Sequence, residues 1–344
     1  MYFWGNDMAK YYYLECEAGV AGDMLVASML DIGADGQELL KVLNSLPLSG
    51  YEIKISRVKK SGIEACDFDV VVDDPSGGLD HDMEYLHGSA EIDKRPGSAG
   101  GRYTADVSRW VIGWILGIEW DADFVNGTNA AEPEMTSFAG TYVSTENASP
   151  FEVFLAEAAE TAIARDLEYG TQRPVALCNW CTTDPLTHPG EPNPEKEDSA
   201  VVDAEHIRAT DDFQAGFFAS YHVYPYYPEF LSYDSAYLKG EDPDPYLQYL
   251  EALVDYHSMP VLISEYGIPA SRGIAHENIV TGMTQGFVSE KQQAEWLIAL
   301  NRDIRAAGCA GGLIFTWQDE WFKRNWNTMD YELADRRPFW YNAQ

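Results

Sequence analysis

Glu265 is the carboxylate in this sequence that most needs a physical explanation. It directly follows the strand-forming run "VLIS", and Tyr266, Gly267 and Pro269 come soon after it and end the strand. An ionised carboxylate is costly to bury, so a glutamate at the mouth of an apolar strand is either paired or chemically active. Pairing with a neighbouring arginine such as Arg272 is the structural alternative.

Polar or aromatic residues end four other strand-forming segments in the same way. The residues at the five ends are Glu119 and Trp120, Asn179 and Trp180, His222 and Tyr224, Glu265, and Trp317. In a (β/α)8 barrel the active site lies at the carboxyl ends of the strands. The sequence therefore predicts that these side chains belong to one site.

Helical segments alternate with these strands from about Val107 onwards, which is the rhythm of a βα-repeat protein. Residues 149–169 form an amphipathic helix that begins at Ser149 and Pro150 and ends before Gly170. Further helices are predicted over residues 243–257 and 289–309. The predicted fold class is α/β.

Composition restricts the class of protein. A chain of 344 residues, 46% of them hydrophobic, accommodates one large α/β barrel or two ordinary domains. The formal net charge of -33 repels phosphate backbones, so we expect no nucleic acid partner. The start of the chain lacks the pattern of a signal peptide and no apolar run is long enough to cross a membrane. We therefore expect a cytoplasmic protein without membrane contact, and the oligomeric state stays open.

The front of the chain has its own pattern. The segments "YEIKISRVKK" and "IEACDFDVVV" alternate between apolar and polar residues and predict a β-hairpin. Together with "LECEAGVAGDM" before them and "DHDMEYLHG" after them, they resemble the N-terminal part of LarC, the nickel insertion family that completes the nickel-pincer cofactor. The resemblance covers residues 11–88. It implies nickel insertion or cofactor maturation, with nickel as the metal.

Two small clusters are candidate metal ligands. His81 and His87 flank Asp80, Asp82 and Glu84, and imidazole and carboxylate groups bind divalent metals such as nickel. The alternative is an ordinary solvated acidic loop. The five cysteines are scattered and odd in number, which argues against a disulfide framework. Cys178 and Cys181 have CxxC spacing, but a second pair to complete a zinc site is missing from the sequence.

The back of the chain resembles the second half of a clan-A glycoside hydrolase of the cellulase or β-mannanase type, over residues 103–344. In that clan one Glu ends the fourth strand, His-x-Tyr lies on the sixth, another Glu ends the seventh and Trp ends the eighth. These positions correspond here to Glu119, His222 with Tyr224, Glu265 and Trp317. The residue before the first Glu, usually Asn in the clan, is Ile118 here.

This second resemblance implies a retaining glycosidase with Glu265 as nucleophile and Glu119 as acid/base, acting on a β-linked carbohydrate without a cofactor. Such enzymes hold two carboxyl groups about 5–5.5 Å apart across the sugar bond. Tyr224 would donate to the nucleophile, and His222 would hold the acid/base or a substrate hydroxyl. The remaining predicted substrate contacts are Asn179, by hydrogen bonding, and the rings of Trp120, Trp180 and Trp317, by stacking.

These assignments predict a LarC-like segment over 1–88, a linker or fusion junction over 89–106, and a partial (β/α)8 TIM-barrel-like domain over 107–344 that supplies strands four to eight. Three hypotheses follow: a glycosidase of reduced or uncertain activity, a nickel insertion protein, or an inactive chimeric fragment. His222 has the alternative of an ordinary half-buried histidine, and the tryptophans and tyrosines that of core residues. The segment "HPGEPNPEKEDS" is predicted to be a solvated loop.

Overall fold

The computed structural model describes residues 22–45, 51–60, 63–72, 82–92 and 101–317. The chain divides into two compact units, Met1–Asp82 and Met83–Gln344. The sequence analysis placed the corresponding boundary between residues 88 and 107. Each unit is described by itself below.

The first unit contains two helices and an antiparallel hairpin. The helices are α1 (Gly22–Asp31) and α2 (Gly36–Asn44), and the strands are β1 (Tyr51–Lys60) and β2 (Ile63–Val72). All ten residues of β1 pair with β2 in continuous register, beginning with Tyr51 opposite Val72. The hairpin predicted from the alternation of apolar and polar residues is confirmed.

Asp31, the last residue of α1, ties this helix to both strands of the hairpin. Its carboxylate accepts a hydrogen bond of 2.8 Å from the backbone N–H of Cys66 and forms an ion pair with Arg57. The Cys66 amide and then the Arg57 guanidinium lower the pKa of Asp31, because both stabilise the ionised carboxylate.

The second unit is organised around a parallel sheet. Its strands are β5 (Trp114–Leu116), β7 (Val175–Trp180), β9 (Ala219–His222), β10 (Val261–Tyr266) and β11 (Gly311–Ile314). Their order in the sheet is the order in the sequence, and every neighbouring pair is parallel. The result is a curled half-barrel, which confirms the α/β class and the five predicted strands.

Four longer helices lie in the connections of this unit, namely α4 (Ala122–Ala131), α5 (Pro150–Glu168), α8 (Pro245–Tyr256) and α9 (Glu290–Ala306). Each begins after a side chain that accepts a hydrogen bond from a backbone N–H in the first turn. At α5 the cap is reciprocal, because Ser149 and Glu152 each bond the other's backbone N–H. The predicted starts of the helices near residues 149 and 289 are therefore confirmed.

Shorter elements complete the described chain. They are the helices α3 (Asp82–Leu86), α6 (Pro194–Glu197) and α7 (Phe230–Tyr233), the 3-10 turns Ser108–Trp110 and Ala204–His206, and the strands β3 (Glu91–Ile92), β4 (Gly101–Arg102), β6 (Val143–Thr145) and β8 (Ile207–Ala209). The two antiparallel pairs are β3 with β4 and β6 with β8.

The helices pack on the sheet through two apolar clusters. One joins β9 and β10 to α8 and α9 and includes Tyr221, Ile263, Leu250, Leu253, Leu300 and Ile304. The other joins β5 and β7 to α5 and includes Phe151, Leu155, Ala159, Ile163, Val175 and Leu177. Full burial of an aliphatic side chain of this size contributes about 1.5–3 kcal/mol, so these clusters hold the strands in place.

A buried ion pair fixes the segment that leads into β5. Arg173, which precedes β7, pairs with Asp166 near the end of α5, and both side chains are almost completely buried. The same guanidinium donates hydrogen bonds to the backbone carbonyls of Ser108 (2.9 Å) and Val111 (3.1 Å). One side chain therefore joins α5 to the chain that enters the edge strand.

The segment of residues 188–199 departs from the prediction of a solvated loop. His188 is buried, with its ring stacked on Phe230 at 3.7 Å and within hydrogen-bonding distance of Asp184. Glu191 is also buried and accepts a hydrogen bond of 3.0 Å from the backbone N–H of Phe230. The prediction was wrong for these two residues. The local composition is polar and indicates a solvated loop, but Phe230 and Asp184, which lie outside the segment, contact the two side chains.

Candidate functional site

The carboxyl edge of the sheet brings together four of the predicted site residues. His222 is the last residue of β9, and Glu265 lies opposite it near the end of β10. Tyr224 follows β9, and Glu119 lies in the turn that follows β5. Because the strands are parallel, their carboxyl ends all lie at the same end of the sheet. The four side chains therefore lie at that end.

The turn that carries Glu119 has an uncommon backbone conformation. Both Gly117 (φ 75°) and Glu119 (φ 39°) have positive φ values. Glycine adopts this conformation without steric cost, whereas a glutamate there is uncommon and is held by its surroundings. The turn ends the strand at Leu116, earlier than predicted, and carries the Glu119 carboxylate to His222.

His222 is the centre of the site. Its Nδ1 lies 2.9 Å from Oε1 of Glu119 and 3.3 Å from Oε2 of Glu265, and its Nε2 lies 3.1 Å from Sγ of Cys178. Burial lowers the pKa of the ring, but the contacts with Cys178 and Glu119 outweigh burial and raise it to about 10. The imidazole lies between two carboxylates, and its raised pKa favours the protonated ring.

Glu265 has a second hydrogen-bonding partner. The hydroxyl of Tyr224 donates to Oε2 of Glu265 at 2.8 Å. Burial, followed by the charge of Glu265, raises the pKa of Tyr224, so the phenol keeps its proton and remains a donor. The Glu265 side chain is 20% exposed and that of Glu119 is 35% exposed, so Glu119 is the more accessible of the two carboxylates.

The carboxylate separation defines the chemistry that the site can support. One ligand atom each from Glu119, His222 and Glu265 lies within 4.8 Å of the other two. Two carboxylates that converge on one space can serve as a nucleophile and an acid/base in double displacement at a sugar carbon. The same three atoms are also of the types that bind divalent transition metals.

Asn179 lies close to these residues in the sheet but is occupied by the protein itself. Its side-chain nitrogen donates to the carbonyls of Thr183 (3.0 Å) and Val202 (2.9 Å). Its side-chain oxygen accepts from the backbone N–H of Trp180 and the hydroxyl of Thr183. The amide is buried and its bonds are satisfied, which argues against the predicted contact with a substrate hydroxyl.

The three predicted stacking tryptophans differ in their placement. The ring of Trp120 is partly buried and packs edge-to-face on Phe151 at 5.4 Å, against the second apolar cluster, so part of its surface is occupied by the protein itself. Trp180 is partly exposed, and its Nε1 donates to the carbonyl of Trp120 at 2.8 Å. Trp317 is 97% exposed beyond the end of β11.

The two histidines predicted to bind nickel have different status. His81 lies outside the described residues. The ring of His87 stacks on Tyr169 with the centroids 4.1 Å apart, and its buried Nε2 has no hydrogen-bonding partner within the described part of the chain. This nitrogen is of a type that binds nickel.

The two cysteines of the CxxC sequence both contact His222. Sγ of Cys178 lies 3.1 Å from Nε2 of His222, and Sγ of Cys181 lies 3.6 Å from the backbone carbonyl of His222. Both cysteines are buried, and burial raises the pKa of Cys181. The CxxC spacing indicated only half of a zinc site, and it held no signal for a contact with a histidine on another strand.

A further acidic residue, Glu197, was not predicted and contacts Tyr227. The Tyr227 hydroxyl donates to Oε2 of Glu197 at 2.5 Å, and the Tyr227 ring lies 6.1 Å from that of Trp180. Burial raises the pKa of Glu197. Glu229 nearby pairs with His276 at 3.1 Å.

Comparison with known proteins gives matches at the front of the chain. The model of the nickel insertion protein family matches residues 12–111. The pyridinium-3,5-bisthiocarboxylic acid mononucleotide nickel insertion protein of Alkaliphilus metalliredigens is 54% identical over 66 residues, which is 19% of this chain and 16% of that protein. The corresponding protein of Geobacillus kaustophilus is 37% identical over 79 residues, or 23% of this chain and 19% of that protein.

These matches confirm the predicted LarC-like character of the N-terminal region. The chain spans less than a fifth of the length of these relatives. The family match ends at residue 111, so it does not bear on the glycoside hydrolase resemblance of the rest. No solved structure matches the chain. None of the helices in the described ranges has the length and apolar composition required to cross a bilayer.

Proposed function

We propose that the N-terminal region acts in nickel handling of the nickel insertion type. The observation that carries this proposal is the family match over residues 12–111, with 54% identity to a curated nickel insertion protein over part of it. Nickel is here the cargo to be transferred. His87, whose Nε2 has no hydrogen-bonding partner among the described residues, and His81 in the same sequence motif supply a ligand type that binds nickel.

Nickel titration tests this proposal. Wild-type protein should bind Ni²⁺ saturably in a calorimetric titration, and His81→Ala together with His87→Ala should weaken this binding. His276→Gln is the matched control, because it removes a histidine from outside the motif. Unchanged binding in the double variant would reject these two residues as ligands, and absence of saturable binding would reject the nickel-binding role.

We propose a second function for the site at the sheet edge, namely retaining hydrolysis of a β-linked glycoside. The observation that favours it is the pair of carboxylates, Glu119 and Glu265, held within 4.8 Å of each other around His222 at the carboxyl ends of parallel strands. Two glutamates in this arrangement are what double displacement requires.

The contacts support a division of roles between the two glutamates. Glu265 is the nucleophile, because the Tyr224 hydroxyl and the His222 imidazolium both stabilise its ionised form. Glu119 is the acid/base, because it is more exposed and Nδ1–H of His222 lies 2.9 Å from its Oε1. Glu119 would give its proton to the leaving oxygen and regain one from the water that hydrolyses the glycosyl-enzyme intermediate.

Hydrolysis of aryl β-glycosides tests this second function. Wild-type protein should release the phenol, and Glu265→Ala should abolish the release. Azide should restore turnover in Glu265→Ala, because a small anion can occupy the position of the missing carboxylate and attack the sugar carbon. Glu251→Ala, an exposed glutamate on α8, is the matched control and should retain wild-type activity.

The alternative outcomes are separable. If wild type and Glu265→Ala are both silent, or equally active, the nucleophile assignment fails. If the protein is also unable to bind nickel, the hypothesis of an inactive chimeric fragment remains.

A further inference from the structure

We propose that Glu119, His222 and Glu265 form a binding site for one divalent transition-metal ion of the zinc, cobalt and nickel group. The site is separate from the histidine motif proposed above for nickel handling. Occupancy of this site would also block the reaction proposed for the same residues. Metal binding stands on the geometry alone, whereas its inhibitory effect rests on the proposed glycosidase function.

The ligand atoms have the right types and nearly the right spacing. Nδ1 of His222 lies 2.9 Å from Oε1 of Glu119 and 3.3 Å from Oε2 of Glu265. A tetrahedral ion with bonds of about 2.0–2.2 Å separates its ligand atoms by roughly 3.4 Å. The three atoms lie within 4.8 Å of one another, and rotation of the partly exposed Glu119 side chain can close the remaining difference.

The surrounding contacts match those of a histidine and a carboxylate that bind metal. Nε2 of His222 lies 3.1 Å from Sγ of Cys178, which can accept a hydrogen bond from Nε2–H, so Nδ1 is the nitrogen that can coordinate an ion once the ion displaces its proton. The Tyr224 hydroxyl donates to Oε2 of Glu265 and orients that carboxylate. Such outer contacts fix the tautomer and the direction of metal ligands in proteins.

The donor set also selects the class of ion. A dication that binds Nδ1 displaces the proton on that nitrogen, so the bound ion is surrounded by two carboxylates and one neutral imidazole, with a total ligand charge of -2. Calcium and magnesium prefer oxygen ligands alone, whereas zinc, cobalt and nickel accept imidazole with carboxylate. Three protein ligands leave a coordination position open, as in zinc sites that are accessible to small molecules.

The chain offers a matched control for this site. His276 lies 3.1 Å from Oε1 of Glu229, which is also a histidine–glutamate contact. The described residues that group into a potential metal site are Glu119, His222 and Glu265, and this set does not include His276. A site that depends on two convergent carboxylates should therefore be insensitive to His276→Gln.

The test is titration of chelator-treated protein with Co²⁺, followed by visible d–d absorption, and with Zn²⁺, followed by calorimetry. The His81→Ala and His87→Ala substitutions are present throughout, so the N-terminal motif does not contribute. One equivalent should bind in this background and in His276→Gln. Glu119→Gln should weaken binding by roughly 10- to 100-fold or more, since loss of an outer contact alone costs about that much.

Glu119→Gln is the decisive variant because its side chain is partly exposed and the replacement has the same shape. A far-ultraviolet circular dichroism spectrum and a thermal transition equal to wild type establish that it folds. Equal Co²⁺ affinity in this variant, or no bound equivalent in the background protein, would overturn the proposed site. His222→Gln should lose the d–d band and adds an independent reading of the same ligand set.

The inhibitory effect has its own readout. Zn²⁺ at one equivalent should suppress aryl β-glycoside hydrolysis, and a chelator should restore it. If hydrolysis continues at saturating Zn²⁺, the regulatory part is refuted while the site stands. If wild-type protein hydrolyses nothing in the absence of metal, the glycosidase function fails, and the Co²⁺ titration still decides whether the site exists.

Discussion

Substitution of Gly117 by alanine tests how the turn that carries Glu119 is built. A Cβ atom at this position would lie 1.8 Å from Cη2 and 2.3 Å from Cζ2 of the Trp120 ring. The ring cannot simply retreat, because Phe151 packs against it at 5.4 Å. Gly117 also has a φ of 75°, which a residue with a Cβ atom adopts at a cost.

The expected loss of stability has two parts. The left-handed conformation costs a non-glycine residue about 1–2 kcal/mol, and overpacking in a filled region typically costs about 1–3 kcal/mol. Gly117→Ala should therefore lower the free energy of unfolding by roughly 2–5 kcal/mol. Gly170, at φ 74° with nothing within 4 Å of its ideal Cβ position, isolates the first part, so Gly170→Ala should cost only about 1–2 kcal/mol.

Urea unfolding and thermal melting of the two variants measure the difference. The additional 1–3 kcal/mol or so expected for Gly117→Ala corresponds to a further decrease in Tm of roughly 2–4 °C per kcal/mol. Hydrolysis of an aryl β-glycoside, if present in wild type, should fall in Gly117→Ala alone, since only this turn positions Glu119. Equal destabilisation by Gly117→Ala and Gly170→Ala would refute the inference that the Trp120 ring leaves no room for a Cβ atom at Gly117.

Three other measurements test separate features. Arg173→Met should lower the free energy of unfolding by about 3–5 kcal/mol, because it leaves the carboxylate of Asp166 buried without its partner. Urea denaturation measures this loss, and a loss below about 1 kcal/mol would contradict a stabilising ion pair. Tyr224→Phe should lower kcat by roughly 10- to 100-fold with KM little changed, since a hydrogen bond to a charged group contributes about 1.5–3 kcal/mol, while Tyr226→Phe, on the adjacent stacked ring, should be near wild type. The pKa of His222 is raised from 6.5 to about 10, so its stabilising contribution is complete below pH 6.5 and is lost as the pH rises through 10; wild-type stability should fall over this range more than that of His222→Gln.

Much of the second unit could be predicted from the sequence because its signals are local. Short apolar runs bounded by polar residues identified the five parallel strands, and the Ser149–Pro150 start identified α5. The convergence of Glu119, His222 and Glu265 followed from strand ends meeting at one edge, which depends only on parallel order. The strand ends, the helix start and the parallel strand order can each be recognised without knowing which distant side chains pack against them.

What escaped prediction depends on contacts between distant parts of the chain. The Asn179 amide donates to the carbonyls of Thr183 and Val202, and the residue types around Asn179 do not indicate these hydrogen bonds. His188 was taken for a solvated residue, but Phe230 covers its ring. In each case the local residue types suit both outcomes, and the tertiary packing decides between them.

β5 lies at the edge of the sheet, so the part of the site that carries Glu119 should open locally more easily than the part that carries His222 and Glu265. β5 is three residues long and pairs with β7 through Trp114, Ile115 and Leu116. The strands that carry His222 and Glu265 each have neighbours on both sides. Short edge strands fray at lower free energy than central ones, so Glu119 can detach while His222 and Glu265 stay in place.

Opening of β5 would therefore act as a reversible disconnection of one carboxylate from an otherwise intact site. Arg173 opposes it by holding the carbonyls of Ser108 and Val111 just ahead of the strand. The amide hydrogens of β5 should exchange with solvent faster than those of β9 and β10. The fraction of molecules in which Glu119 is in place is then set by the pairing equilibrium of a three-residue strand. The free energy of opening this strand should be far below the free energy of global unfolding.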